Sequence, residues 1–335
     1  MNFAVVTFLI KNDSYIPGAL ALAYSLKLQH LHADLICFVT NDISTTGVQS
    51  LSVLYDKVVH TEQIMVKNNR IHSRQDANQL FNRFQALLLE DEQVAGKKYD
   101  KIILADCDTL AIKNWNELFK LPTPAGIINE SKNHTMEYDQ NGKYIIPKHY
   151  ATTKKWVWHE VYKDYPHGTP LPKHITDRVN SDHNNMGINT GIVVLTPSLA
   201  LYDSIQTDLQ NPTTLEKIKQ YNWPEMQYIT QKLSGTWHNV DITYLSISGY
   251  PTLEHLNGIH YVGLKPWSFK NKSLPTFARY DDFKLWYAVY KKMCKNHPTL
   301  LQNPKLKNLL TKIEHLQQNP KYVLTNVFDN VKHLV

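Results

Sequence analysis

Cysteine is scarce in this chain of 335 residues. Cys37, Cys107 and Cys294 are odd in number and far apart, and no C-x-x-C pair occurs. No disulfide framework can be read from them, and a reducing compartment fits best. Long apolar runs are missing too. None reaches the ~20 residues that a membrane-spanning helix needs. The opening run Phe3 to Ile10 is too short for a signal peptide and lacks its basic flank and cleavage site. These absences together predict a cytoplasmic protein. Lys and Arg number 36 against 30 Asp and Glu, a net +6, with no dense basic block. That excludes a nucleic-acid tract and suits phosphate-bearing small ligands or anionic surfaces. Internal repeats and low-complexity tracts are absent.

The length suits one large α/β domain, or one domain and an appendage. Hydrophobic residues at 42% and charged residues at 20% argue against extended disorder. The 19 Tyr and 7 Trp could stack on a uracil ring or a sugar face, but filling the core is the expected role of most.

Hydrophobic patterning predicts a strand over Phe3 to Ile10 and a helix over about Ile16 to Gln29, with Pro17 in its first turn. It then predicts a strand over Leu35 to Thr40, a helix over Val48 to Tyr55 and a strand over Lys57 to His60. A helix over Asn78 to Leu89 and a strand at Ile102 follow. Strand and helix in alternation argue for a parallel, doubly wound sheet. The stretch 129–185 is weakly periodic and rich in Lys, His, Tyr, Trp and Pro. Such an insert is a candidate acceptor region or a packed lid, and Trp156, Trp158, His159, Tyr162 and Tyr165 suit either. Later strands are expected at Ile192 to Leu195, Ile242 to Ser246 and Ile259 to Val262. Helices are expected at Leu199 to Leu209, Thr214 to Gln220, Glu225 to Leu233, Phe283 to Lys292 and Leu306 to Gln317. The expected division is 1–271 and a helical C-terminal extension, 272–335. In that extension Leu306, Leu309, Leu310, Ile313 and Leu316 share one helix face, which must pack on something. Docking, dimerisation and partner recruitment are all open to it.

Ile102 to Asp108 reads I-I-L-A-D-C-D. A buried strand ends in Asp106 and Asp108, at the sheet edge where open α/β folds bind ligands. Carboxylates there can hold Mg²⁺ or Mn²⁺, which in turn hold a diphosphate. Paired aspartates after a strand also serve as turn formers and helix caps.

Three further segments accompany them: Asn12-Asp13-Ser14-Tyr15 after the first strand, Ile188-Asn189-Thr190-Gly191 before a later one, and His260 to Trp267, H-Y-V-G-L-K-P-W. In this order the chain closely resembles the glycogenin-like retaining glycosyltransferases, family 8, over about residues 3 to 267. The resemblance implies a GT-A type Rossmann-like fold with a mainly parallel central sheet. It implies donor binding by Thr7, Asn12 and Tyr15 at the uracil, with Tyr15 stacking. Arg83 and Lys265 would sit at the phosphates, Gly263 would allow close backbone approach, and Asn189 and Gly191 would meet the sugar. Asp106, Asp108 and His260 would be the metal ligands, a mixed set better suited to Mn²⁺ than to Mg²⁺. The family's Asp-Gln pair is replaced by Trp223-Pro224-Glu225-Met226-Gln227. Glu225 can stand for the acid, and the position of the amide is open between Met226 and Gln227.

The implied reaction moves a hexose, glucose or galactose first, from a UDP-sugar to a hydroxyl of a glycan or protein, with retention. Self-glycosylation is included, since glycogenin modifies its own tyrosine. Asn189, Glu225 and Lys265 are the candidate catalytic residues. A UDP-sugar-binding scaffold without activity is the alternative, favoured by Glu225-Met226 and opposed by the full metal set. A sugar-phosphate nucleotidylyltransferase is disfavoured because no glycine precedes Gly18 in the loop after the first strand.

Overall fold

The computed structural model describes residues 1–67, 77–128, 137–138, 144–145, 165–182, 185–247, 253–254 and 256–335. Trp156, Trp158, His159 and Tyr162 of the 129–185 insert lie outside them. The first four strands are β1 Phe3–Leu9, β2 Asp34–Val39, β3 Lys57–His60 and β4 Lys101–Ala105. β1 lies between β2 and β4, parallel to both, and β3 extends the sheet beyond β2. The chain thus builds one way from β1 and then crosses to its other side. The resulting crevice opens at the carboxyl ends of β1 and β4, where a strand-order reversal leaves room for a ligand.

Two short strands follow, β5 Thr109–Ala111 and β6 Ala125–Ile128, and then a pair, β7 Glu137–Tyr138 and β8 Tyr144–Ile145. β9 Ile188–Leu195 is antiparallel to both β4 and β6, and β10 His238–Asn239 closes the sheet beside β6. The order is β10-β6-β9-β4-β1-β2-β3, mainly parallel with one reversed strand. Asn189, Thr190 and Gly191 lie within β9, not before it. Asn189 pairs with Ile127 of β6, while Thr190 and Gly191 fall at a bulge in that pairing, where Asp106 N–H donates to the Gly191 carbonyl at 3.0 Å. A smaller sheet joins β5 with β11 Ser246–Ile247 and β12 Gly258–His260.

α1 Ile16–Lys27 is buried nearly all round, as a helix enclosed on every side must be. The Ser25 hydroxyl accepts from Ala111 N–H at 3.1 Å, and Gln29 donates to the Ala111 carbonyl at 2.9 Å, which fixes the small sheet to it. α2 Thr45–Leu51 starts earlier than the Val48 to Tyr55 expectation, because the Ser44 hydroxyl caps it at Gly47 N–H, 3.0 Å away. The Asn78 to Leu89 segment is a tighter 3-10 helix, Ala77–Glu90, not an α-helix. Phe81, Phe84 and Leu87 recur every three residues, a spacing that suits either winding. Ile242 to Ser246 is not a strand. The Asp241 carboxylate accepts from Thr243 N–H at 2.7 Å and starts a turn there, leaving only Ser246–Ile247 extended.

On the other flank lie α3 Leu199–Gln210, α4 Pro212–Gln220 and α5 Pro224–Lys232. α6 Asp281–Asn296 and α7 Pro304–Leu316 complete the main helices among the described residues. Nine residues of α6 are buried. Trp286 packs between Trp267 and Tyr290, with ring centroids 5.3 and 5.1 Å away. Tyr261 donates to the Asp282 carbonyl at 2.8 Å, and Asn296 donates to the Tyr24 hydroxyl at 2.7 Å. Leu306, Leu309 and Ile313 of α7 are buried, so its apolar stripe is covered by the protein's own core. Among the described residues no helix is long and apolar enough to cross a membrane.

Trp286 is fully buried, so its truncation leaves a large cavity. Trp286→Ala is expected to cost about 3–5 kcal/mol, measured as a lower urea midpoint in equilibrium unfolding. A loss below about 1 kcal/mol would mean that α6 is only loosely applied to the rest.

Candidate active site

The crevice between β1 and β4 is a cavity of about 370 Å³. Its walls are Phe8 to Asn12, Ser14 and Tyr15 on one side, and Leu104 to Asp108 on the other. Gln79, Leu80, Asn82 and Arg83 form a third wall. Asn12, Tyr15, Arg83, Asp106 and Asp108 therefore meet, although they are far apart in sequence. Asn12 and Tyr15 also serve the local backbone. The Asn12 side chain accepts from Ser14 N–H at 2.8 Å, and Tyr15 leads into α1. Thr7 lies deeper on β1, buried, with its hydroxyl unpartnered, and does not line the cavity.

The Asp106-Cys107-Asp108 turn is held from below. Asp106 N–H donates to the Gly191 carbonyl at 3.0 Å, and the Thr109 hydroxyl donates to the Asp106 carbonyl at 2.7 Å. Gly18 of α1 leaves space for it. A Cβ there would stand 2.4 Å from both the Cys107 carbonyl oxygen and Trp267 Cη2. β12 places His260 opposite Thr109, and Tyr261 N–H donates to the Asp108 carbonyl at 2.9 Å. Pairing in the small sheet thus delivers His260 to the carboxylates.

Arg83 Nη2 is 2.9 Å from Asp106 Oδ1, and Nη1 donates to the Thr190 carbonyl at 3.0 Å and to the Thr190 hydroxyl. It is buried, and so is not a solvated helix face. Lys265 Nζ pairs with Asp108 Oδ2 and donates to the Tyr261 carbonyl at 2.6 Å. His260 Nε2 faces both carboxylates, 3.3 Å from Asp108 Oδ1 and 3.6 Å from Asp106 Oδ2. Burial alone would raise the Asp108 carboxyl. The adjacent Lys265 ammonium and His260 outweigh it and hold the group well below the usual carboxylate range.

One ligand atom from each of Asp106, Asp108 and His260 lies within 4.8 Å of the others. Two carboxylate oxygens and an imidazole nitrogen converging on one point form an acceptor set, which a proton or a cation must reconcile. The mixed oxygen and nitrogen donors suit a divalent metal.

Gly191 passes directly under this set. A Cβ there would meet His260 Cε1 at 2.9 Å and Asn189 Oδ1 at 3.0 Å. Asn189 Oδ1 accepts from Gly191 N–H at 2.9 Å. Gly263 has φ of 80° and open space around it, so backbone conformation is what requires glycine there. Glu225 begins α5. It is buried, its Oε2 has no hydrogen-bond partner, and no ion pair or hydrogen bond joins it to the Asp106 cluster among the described residues. Gln227 Oε1 accepts from Trp223 N–H at 2.8 Å, across the start of the same helix.

The sequence reading missed Gln79, Asn82 and Gly18, and gave Thr190 no role of its own within the Asn189-Thr190-Gly191 element. Asn82 was detectable in principle as a polar residue on an apolar helix face. Its side chain accepts from Ile64 N–H at 2.8 Å and donates to the Ile64 carbonyl at 2.9 Å, pinning the 61–67 loop to the helix that carries Arg83. Gly18 had no local signal, because its neighbours come from distant segments.

An α/β sheet with an acidic turn and a convergent imidazole at its strand-order reversal has the layout of a ligand-binding site. The sequence profile of glycosyl transferase family 8 matches residues 6–271, and the chain belongs to that family. It is a glycosyltransferase with the GT-A fold. An uncharacterized protein of Acanthamoeba polyphaga mimivirus is 24% identical over 87% of this chain and 95% of its own length. A glycogenin of Neurospora crassa is 23% identical over 85% of this chain, which spans only 34% of that longer protein. The crystal structure of the galactosyltransferase LgtC, with donor and acceptor sugar analogues, superposes with a TM-score of 0.50 at 11% identity. It covers 82% of this chain and 93% of LgtC. At that identity it speaks for the fold alone.

Because a Cβ at Gly191 would push on the His260 ring, Gly191→Ala is expected to weaken any divalent-cation binding by this set about 10-fold or more, the usual range for changes behind a metal ligand. Calorimetric titration of Mn²⁺ into both proteins would measure it. Unchanged affinity in the folded variant would separate Gly191 from the metal set.

Proposed function

We propose that the protein transfers a hexose from a UDP-sugar to a hydroxyl of a glycan or protein, with a divalent cation held by Asp106, Asp108 and His260. One observation carries this reading. Two segments far apart in sequence bring that ligand set together, and its two aspartates line a cavity also walled by Asn12, Tyr15 and Arg83. A hard divalent cation supplies Lewis-acid neutralisation of a departing diphosphate.

The chain's own residues provide the rest. Asp106 and Asp108 are balanced by Arg83 and Lys265, so the charges of the four side chains nearly cancel. A bound cation would give the site surplus positive charge, matched to a diphosphate. Lys265 stands beside Asp108, with its ammonium 5.8 Å from the Tyr15 ring centroid, between the phosphate and base regions of this reading. There it would stabilise charge developing on the leaving UDP. Arg83 would hold Asp106 and Thr190 in fixed relation, so that the metal side and the sugar side move together. Asn189 and Gly191 would face the sugar, and Asn12 and Tyr15 the uracil, with buried Thr7 behind them and Gly263 shaping the turn that leads to Lys265. A front-face route with retention needs no enzymic nucleophile, and Glu225 remains a candidate to orient the sugar. We place residues 1–271 in the catalytic unit, with 272–335 as its extension. A cytoplasmic setting is supported by three cysteines that all stand free.

An inert UDP-sugar binder is the second reading. It is favoured by Met226 and by the use of Gln227 Oε1 at a helix start. One assay separates the two: UDP release from UDP-glucose, UDP-galactose, UDP-N-acetylglucosamine and UDP-xylose, with Mn²⁺ or with EDTA. Metal-dependent turnover of one donor is expected, abolished by EDTA and by Asp108→Ala. Lys265→Met should lower kcat by about 10²-fold or more, as expected when one preorganised charge is removed from a developing anion. UDP binding without turnover of any donor would favour the inert binder.

A further inference from the structure

The loop between Asn12 and Tyr15 is held from behind by a buried carboxylate. Asp13 is 8% exposed at its side chain and is not part of the cavity wall. Its Oδ1 accepts from Ser44 N–H at 2.9 Å, and its Oδ2 accepts from the Ser44 hydroxyl at 2.8 Å and from Lys305 Nζ at 2.7 Å. Gly47 of α2 leaves room for it, since a Cβ there would lie 3.0 Å from Asp13 Oδ1.

Lys305 arrives in fixed register. The Asn303 side chain accepts from Lys305 N–H at 3.0 Å, capping α7, and donates to the Ser50 hydroxyl of α2 at 3.0 Å. Asn303 is itself buried. Three elements far apart in sequence thus converge on Asp13: the loop after β1, α2 and the C-terminal α7. The two residues on the cavity side of this anchor are the ones that would meet the base.

We propose that Asp13 is a positioning residue of the donor site, and that through Lys305 the docking of α7 sets the affinity of the loop for the donor. The proposal rests on the reading of the cavity as a UDP-sugar site. Its physical content is a population effect. A loop released from its anchor spends part of its time in other shapes, and apparent affinity falls by the fraction that stays competent. Turnover at saturating donor is then unaffected, because bound donor selects the competent shape.

Calorimetric titration of UDP in the presence of Mn²⁺ tests this with wild type, Asp13→Asn, Lys305→Met and Lys305→Arg. Lys305 is 73% exposed at its side chain, so its ion pair is partly screened. Lys305→Met should weaken UDP binding about 2–5-fold, and Asp13→Asn, which loses the charge that both partners share, about 10-fold. Lys305→Arg should bind as wild type does, and kcat at saturating donor should be unchanged in Lys305→Met. If Asp13→Asn does not fold, the surface pair Lys305→Met and Lys305→Arg carries the test. UDP affinities equal to wild type in the folded variants would overturn the proposal. So would equal weakening by Arg and Met, which would indicate lost packing and no role for the charge. Both results leave the donor reading standing. A wild-type protein that binds no UDP removes that reading, and this proposal with it.

Discussion

Two carboxylates at the end of one strand must be neutralised, and this requirement organises the molecule around β4. Asp106 and Asp108 sit where the sheet stops and solvent is partly excluded. Uncompensated charge there would be costly. Every compensating group comes from elsewhere: Arg83 from the helix after β3, His260 from the small sheet, and Lys265 from the loop beyond it. The site is assembled only when these segments are in place. Charge closure across Asp106 and Asp108 and the hydrogen bonds from Ser25 and Gln29 to Ala111 both tie the small sheet to the rest of the fold.

The scaffold makes that closure achievable because space has been left at specific points. Gly18 admits the Cys107 carbonyl and Trp267, Gly191 admits His260, and Gly258 admits the Tyr244 carbonyl, 2.2 Å from where its Cβ would stand. None of these three glycines is there for a positive φ, unlike Gly263. They mark close approach between elements that the charged groups pull together. Packing and electrostatics here solve one geometric problem.

The sheet and the site differed in how readily the sequence disclosed them. Alternating apolar runs disclosed β1, β2, β3 and β4, because buried parallel strands are continuous in sequence and closed by polar turns. The acidic pair and the H-Y-V-G-L-K-P-W element pointed to a site for the same reason, since each is a contiguous signature. The reversed direction of β9 was hidden, because apolar patterning carries no sign of strand direction. The 3-10 winding of Ala77–Glu90 was hidden because a spacing of three satisfies both helix types. Asp241 turned an apparent strand into a capped turn, an effect that apolar counting overlooks. The contact of Thr190 with Arg83 and the role of Gly18 were hidden because both depend on partners remote in sequence.

The K-P-W element ties these threads together. Lys265 reaches Asp108, while two residues later Trp267 packs against Trp286 of α6, and a Cβ on Gly18 would touch it. The family profile ends at residue 271, before α6 begins. The helices that hold Trp267 in place thus lie beyond the part of the chain that the profile matches. A short loop with a charged group at one end and a buried indole near the other transmits the position of α6 to the carboxylates. Gly263, at φ 80° with nothing packed on it, lets that loop turn immediately after β12. The placement of a charged group at the site therefore depends on apolar packing by aromatic residues that carry no charge.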